Sequence, residues 1–265
     1  ERVKGCVACC VVGVITTTPT MKKRRFETKT LYEHVLTRPS TYVGDVRGKN
    51  RQGEDVVSRD LEVVPYEGEG QWSDAYVKIF QEILVNALDH TEDGKRIDVS
   101  FWNDSVEVKS QSQIPVERAG EGNVTIPELI FGTLLTSSNY DDTQERVIAG
   151  QNGIGAKATN IFSKAFDVVV DDAESALRVK LGWASNMSVK RQSKITEYGG
   201  QMGAGCVSYA PDGKTLDTTF DHSVPILHHC VVGAGAKSAA RLFPRAERDE
   251  TPRDIKIKDI AANAR

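Results

Sequence analysis

Apolar positions in residues 74–90, DAYVKIFQEILVNALDH, fall at Phe80, Ile83, Leu84, Ala87 and Leu88. That three- and four-residue spacing lines one face of an α-helix. Ser73, followed by Asp74, supplies a capping oxygen and a negative charge suited to the positive end of the helix. Downstream the period changes from 3.6 to two. Ile97, Val99 and Phe101 alternate across residues 96–102, and Val106 and Val108 alternate across residues 105–110. Joined at Asn103 and Asp104, these runs predict an antiparallel hairpin. Thr125, with Pro127 in the first turn, opens a helix over residues 127–135. Further strands are expected over residues 167–170, 176–183 and 205–210, whereas residues 47–70 are rich in glycine and charge and read as loop. Helices on one face of an antiparallel sheet make an α+β fold, a two-layer sandwich.

Two polar features sit on this frame. Glu82, Asn86 and Asp89 are spaced i, i+4, i+7 and share the side of the helix away from its apolar stripe. Such a set is either a solvated face or a chemical one. A carboxylate one turn from a carboxamide can activate a water while the amide oxygen ligates a hard cation such as Mg²⁺. The second feature is GQNGIGAK, residues 150–157, which runs into an apolar helical stretch of Ala158, Ile161 and Phe162. Glycines there serve turn geometry, or they let backbone N–H groups approach an anion that Lys157 then neutralises.

Composition narrows the picture only slightly. A chain of 265 residues with 39% apolar content can bury the core of one large domain or one and a half. Its formal charge of −3 gives no overall nucleic-acid footprint, although a local basic patch remains compatible with it. Cys6, Cys9, Cys10, Cys206 and Cys230 form no paired framework, which points to structural thiols in a reducing compartment. The apolar run within residues 1–20 is too short to span a membrane, and no membrane partner is expected. Lys22, Lys23, Arg24 and Arg25 read equally as a nuclear-localisation patch or as a solvated charge cluster.

Taken together, the motifs resemble a known family. EILVNALD, residues 82–89, resembles the first ATP-binding motif of the GHKL ATPases. LTSSNYDD (residues 135–142) followed by GQNGIGAK resembles the ATPase domain of eukaryotic and viral type II DNA topoisomerases. LYEHVLTRPSTYVGDV (residues 31–46) and PELIFG (residues 127–132) are similar to further segments of that domain, in the same order. The resemblance covers roughly residues 26–235 and implies the GHKL (Bergerat) fold with the start of a transducer-like extension. The chain divides accordingly into an N-terminal extension over 1–25, an ATPase-like domain over 26–200 and a partial transducer-like segment with a tail over 201–265.

The resemblance also assigns roles. It makes Glu82 the catalytic base and Asn86 the Mg²⁺ ligand, with Lys157 on the phosphates of ATP. It adds Asp89, Ser137, Ser138, Asn139, Gln151, Asn152, Gly153, Ile154, Gly155 and Ala156 to the nucleotide site. DNA and a second copy of the chain, or a larger complex, are the partners implied. The nucleus is the implied compartment, with the mitochondrion or a viral origin as alternatives.

One motif departs from the pattern. Before Ile114 and Pro115 the family carries an acidic or amide residue and two glycines, and that residue accepts a hydrogen bond from the adenine amino group. Here the stretch is Lys109, Ser110, Gln111, Ser112 and Gln113. A lysine cannot accept a hydrogen bond, and losing one costs about 1–3 kcal/mol. Two functions therefore follow: the ATP-binding and hydrolysing module that drives DNA-gate dimerisation during strand passage, or a degenerate GHKL-fold relative without turnover, serving as a scaffold or subunit. If the second holds, the pocket is expected to be empty or plugged, with Gln111 or Gln113 occupying the adenine volume.

Overall fold

The computed structural model describes residues 28–57, 63–67, 71–91, 95–101, 104–119, 124–134, 153–191, 193–218, 239–243 and 253–254. Helix α1 (Leu31–Thr37) begins at a capping box, in which the Glu33 amide donates to Thr30 Oγ1 and the Thr30 amide donates back to Glu33 Oε2 at 2.8 Å. Helix α2 (Asp74–Asp89) starts where the sequence places it, with the Ser73 hydroxyl accepting from the Tyr76 amide. Phe80, Ile83, Leu84 and Ala87 are buried as expected, and Ala75, Tyr76 and Ile79 extend the stripe towards the N-terminus. Leu88 is only half-buried. Helix α3 (Ile126–Gly132) is capped by Thr125, and helix α4 (Gly155–Ile161) follows the glycine-rich stretch.

The sheet is built from β1 (Arg96–Phe101), β2 (Val106–Ser110), β3 (Ser163–Asp172), β4 (Leu177–Ala184), β5 (Val189–Lys190), β6 (Lys194–Glu197), β7 (Ala204–Pro211), β8 (Ala239–Phe243) and β9 (Arg253–Asp254). Their order is β5-β4-β3-β7-β2-β1-β8-β9, with β6 also paired to β4. All pairings are antiparallel except that of β8 with β1. The expected hairpin is β1 and β2, with Val99 opposite Val108. Burial alternates along the strands, so one face meets the helices and the other carries charge.

Strand β7 departs from the expected division. Residues from 201 onwards were expected to leave the ATPase-like domain, yet β7 lies at the centre of its sheet, between β3 and β2. Val207 faces both Val168 and Val108, so the segment completes the main core. The physical reason is pairing: β7 is the only described strand that joins the two halves of the sheet. Around it, Phe166 packs its ring 6.2 Å from Phe131, 6.1 Å from Trp183 and 6.4 Å from Tyr209, centre to centre.

Candidate nucleotide site

Helix α2 is pinned at both ends, which fixes the side chains along it. At its start, the Ser73 amide donates to Thr218 Oγ1 at 3.1 Å, and Asp217 accepts from the Gly48 amide. At its end, Thr91 Oγ1 donates to the Ala87 carbonyl at 2.5 Å, while Thr91 bridges to Ser112 beyond β2. Glu82 and Asn86, half-buried and one turn apart, are therefore held on a rigid rail.

Glu82 faces α4. A β-carbon added at Gly155 would lie 1.8 Å from Glu82 Oε2, so only glycine allows the carboxylate to rest against the first turn of α4. The other carboxylate oxygen, Oε1, is paired with Lys78 Nζ at 2.5 Å. The two contacts orient the group. Asn86 lies one turn further along, beside a small cavity under the sheet.

Helix α4 is buried on every side, at its polar positions as well as along the expected apolar stretch. Thr159 donates to the Ile79 carbonyl on α2 at 2.8 Å, and the Asn160 amide donates to the Phe131 carbonyl on α3 at 3.1 Å. These bonds lock α4 between its neighbours and satisfy backbone acceptors inside the core. Lys157 is 2% exposed and donates to the Gly153 carbonyl at 2.6 Å, one turn back. Burial pulls its ammonium down from 10.5 to about 8. Gly153, at φ +61°, has the backbone that glycine adopts at least cost, and Ile154 occupies the N-cap of α4 without a side-chain cap. Ala156 is buried.

The structure thus brings Glu82 against Gly155 at the start of α4, with Lys157 two residues further along that helix and Asn86 one turn further along α2. Asp89 is half-buried near the end of α2. Ser137, Ser138, Asn139, Gln151 and Asn152 lie outside the described residues, as do Lys22–Arg25 and four of the five cysteines. Cys206 is described, and burial pushes its thiol up to about 12, consistent with an inert structural role. Sequence reasoning did not single out Lys78, Thr218 or Ser112, because the contacts of Thr218 and Ser112 link distant segments. Lys78 alone carried a local signal, its i,i+4 spacing to Glu82.

The replaced adenine motif runs along the end of β2 and just beyond it. Lys109 turns to the charged face of the sheet and pairs with Glu107 at 2.6 Å. Gln111 lies near Met202, and Gln113 is exposed. Neither glutamine lines the cavity under the sheet. Alternation along β2 explains this outcome, because it sends Lys109 to the face opposite Val108 and Ser110.

Among the described residues, no three His, Cys, Asp or Glu side chains are grouped to hold a metal. The donor set here is one carboxamide oxygen, from Asn86. That suits Mg²⁺, which takes one or two protein oxygens and fills its remaining positions with water and phosphate. Among the described residues, no helix is long and apolar enough to cross a membrane.

No family model matches the chain. It is 35% identical over 215 residues to DNA topoisomerase 2 of Candida albicans, covering 76% of this chain and 14% of that protein. It is 37% identical over 218 residues to DNA topoisomerase 2-alpha of Gallus gallus, covering 77% and 13%. The chain therefore spans about one seventh of the curated relatives it matches. Among solved structures, the ATPase region of Saccharomyces cerevisiae topoisomerase II superposes with a TM-score of 0.76 at 30% identity, over 84% of this chain and 61% of that one. The ATPase and transducer domains of DNA topoisomerase II from Balamuthia mandrillaris give 0.75 at 34%, over 83% and 60%.

Proposed function

The chain belongs to the type II DNA topoisomerase family, matching its ATPase region, and we propose that it acts as the module that binds and hydrolyses ATP to drive closure of a dimeric DNA gate. The observation that carries this reading is the junction of Glu82 with Gly155. Held by Lys78 on Oε1 and resting against Gly155 through Oε2, the carboxylate is fixed in orientation for work on a water. Glu82 takes a proton from that water as its oxygen bonds to the γ-phosphorus; the bond from the γ-phosphorus to the bridging oxygen breaks, and ADP leaves. Asn86 would hold Mg²⁺, which supplies charge neutralisation at the phosphates, and Lys157 adds a buried positive charge beside them. DNA and a second copy of the chain are the partners, and the nucleus is the compartment. Phosphate release from ATP by the full chain tests the reading: activity that persists unchanged in Glu82→Gln removes Glu82 from the chemistry.

A second reading has one observation in its favour, the loss of the acceptor and glycines at Lys109–Gln113. In that case the chain is a degenerate relative that serves a complex as scaffold or subunit. Absence of any nucleotide binding by calorimetry in the presence of Mg²⁺ would establish it.

A further inference from the structure

The sheet face turned away from the helices holds a concavity of about 620 Å³. Sites that enclose a small organic ligand run to about 300–1,000 Å³. None of its lining residues belongs to α2 or α4, so it is separate from the junction of Glu82 and Gly155. Strand register explains its shape. Lys194, Lys180, Val169, Cys206 and Lys109 are successive cross-strand partners on β6, β4, β3, β7 and β2. Direct partners point their side chains to the same face, so these five form one row across the sheet. Two lysines stand on one side and a third on the other, with the short side chains of Val169 and Cys206 between them.

The charges on this face are unevenly satisfied. Lys109 pairs with Glu107 at 2.6 Å, and Arg191 pairs with Asp167 at 2.7 Å. Arg178 donates from two nitrogens to the two oxygens of Asp171 and lies 5.2 Å from the centre of the Tyr198 ring. Those pairs occupy Glu107, Asp167 and Asp171. Lys180 and Lys194 are left over. They are exposed and directly opposite each other, and among the described residues neither has a hydrogen-bond or ion-pair partner. Asp98, the next residue in the row after Lys109, is four strand spacings from Lys180, about 19 Å. Like charges directly opposite each other weaken a strand pair, and a divalent anion between them reverses that cost.

We propose that this concavity is a binding site for a small phosphate monoester. Its phosphate sits between Lys180 and Lys194 at the rim, and its organic body lies over Val169 and Cys206. A phosphate monoester carries close to two negative charges at neutral pH, which matches two ammonium groups where a carboxylate would match one. Tyr198 and Met202 wall one end, the Tyr198 hydroxyl donating to the Met202 carbonyl at 2.9 Å. The Met202 side chain is 57% exposed and offers apolar surface to the ligand body.

Phenyl phosphate is the probe, because it joins a phosphate to a compact apolar body. Titrated into the ¹⁵N-labelled full chain, it should saturate and shift amide signals of β4, β6 and β7. Lys180→Gln combined with Lys194→Gln should weaken binding by about tenfold or more, whereas Lys180→Arg should hold it within about threefold. Both lysines are exposed, so an unchanged melting temperature is expected and confirms that the variants fold. Inorganic phosphate, without the apolar body, should bind about tenfold more weakly. No saturable binding overturns the site, as does undiminished affinity in the double variant. Shifts confined to α2 and residues 150–157 would place the probe elsewhere and overturn it too. Equal affinity for inorganic phosphate and phenyl phosphate would mean an adventitious ion only.

Discussion

The Glu82 carboxylate rests on the backbone of Gly155, so close that a β-carbon there would stand 1.8 Å from Oε2. The contact couples the catalytic candidate on α2 to the start of α4. It also makes the glycine a packing requirement as well as a loop preference.

Replacing Gly155 with Ala should therefore destabilise the chain by about 1–3 kcal/mol, the usual cost of overpacking a filled site. The same change should push Glu82 off Lys78. Pairing it with Glu82→Ala relieves the clash, so the double variant should melt above Gly155→Ala alone. Additive losses in thermal melts would show that the two residues do not meet.

Glu82→Gln keeps the size of the side chain and removes the base. Turnover of ATP should fall by about 10²–10⁴-fold, the range for general-base assistance, with binding little changed. Single-turnover phosphate release beside a binding titration separates the two effects.

Lys157 gives a pH signature. Its folded value of about 8 lies below the ordinary 10.5, so between those values the unfolded chain keeps a proton that the folded chain has released. Stability contributed at this residue therefore rises with pH through that window, by at most about 3 kcal/mol. Urea melts of the parent and of Lys157→Met should diverge in the parent's favour as pH is raised from about 7 to about 10. A constant difference across that range would mean the ammonium is not desolvated.

At the other end of α3, a β-carbon on Gly132 would fall 2.2 Å from Cζ2 of Trp183. Gly132→Ala should cost at least about 1–3 kcal/mol and alter the tryptophan fluorescence as the ring is displaced. An unchanged melting temperature would place α3 further from β4 than the packing here requires.

The legible parts of this fold were local. The stripe and cap of α2 lie within one helix, and the β1–β2 hairpin joins neighbours across a short turn, so spacing alone located both. What the sequence hid depends on contacts between distant segments. Nothing near Thr218 marks it as the partner of the Ser73 amide. Strand β7 has an ordinary alternating pattern that says nothing about which strands flank it. Lys157, Thr159 and Asn160 are polar and would be expected at a surface, yet α4 is enclosed and they turn to backbone carbonyls instead. The glycine at 155 was legible as permissive backbone, but its closest demand comes from a side chain far upstream.

The central position of β7 also sets an order of assembly. During synthesis, β2 and β3 emerge well before residues 204–211, and until then each presents to water the edge that β7 will cover. Exposed edges of apolar strands recruit other chains. A fragment ending near residue 200 would consequently be two half-sheets with sticky margins rather than a smaller domain. The shortest piece worth expressing runs through Thr218, where the last of the described contacts to α2 is made.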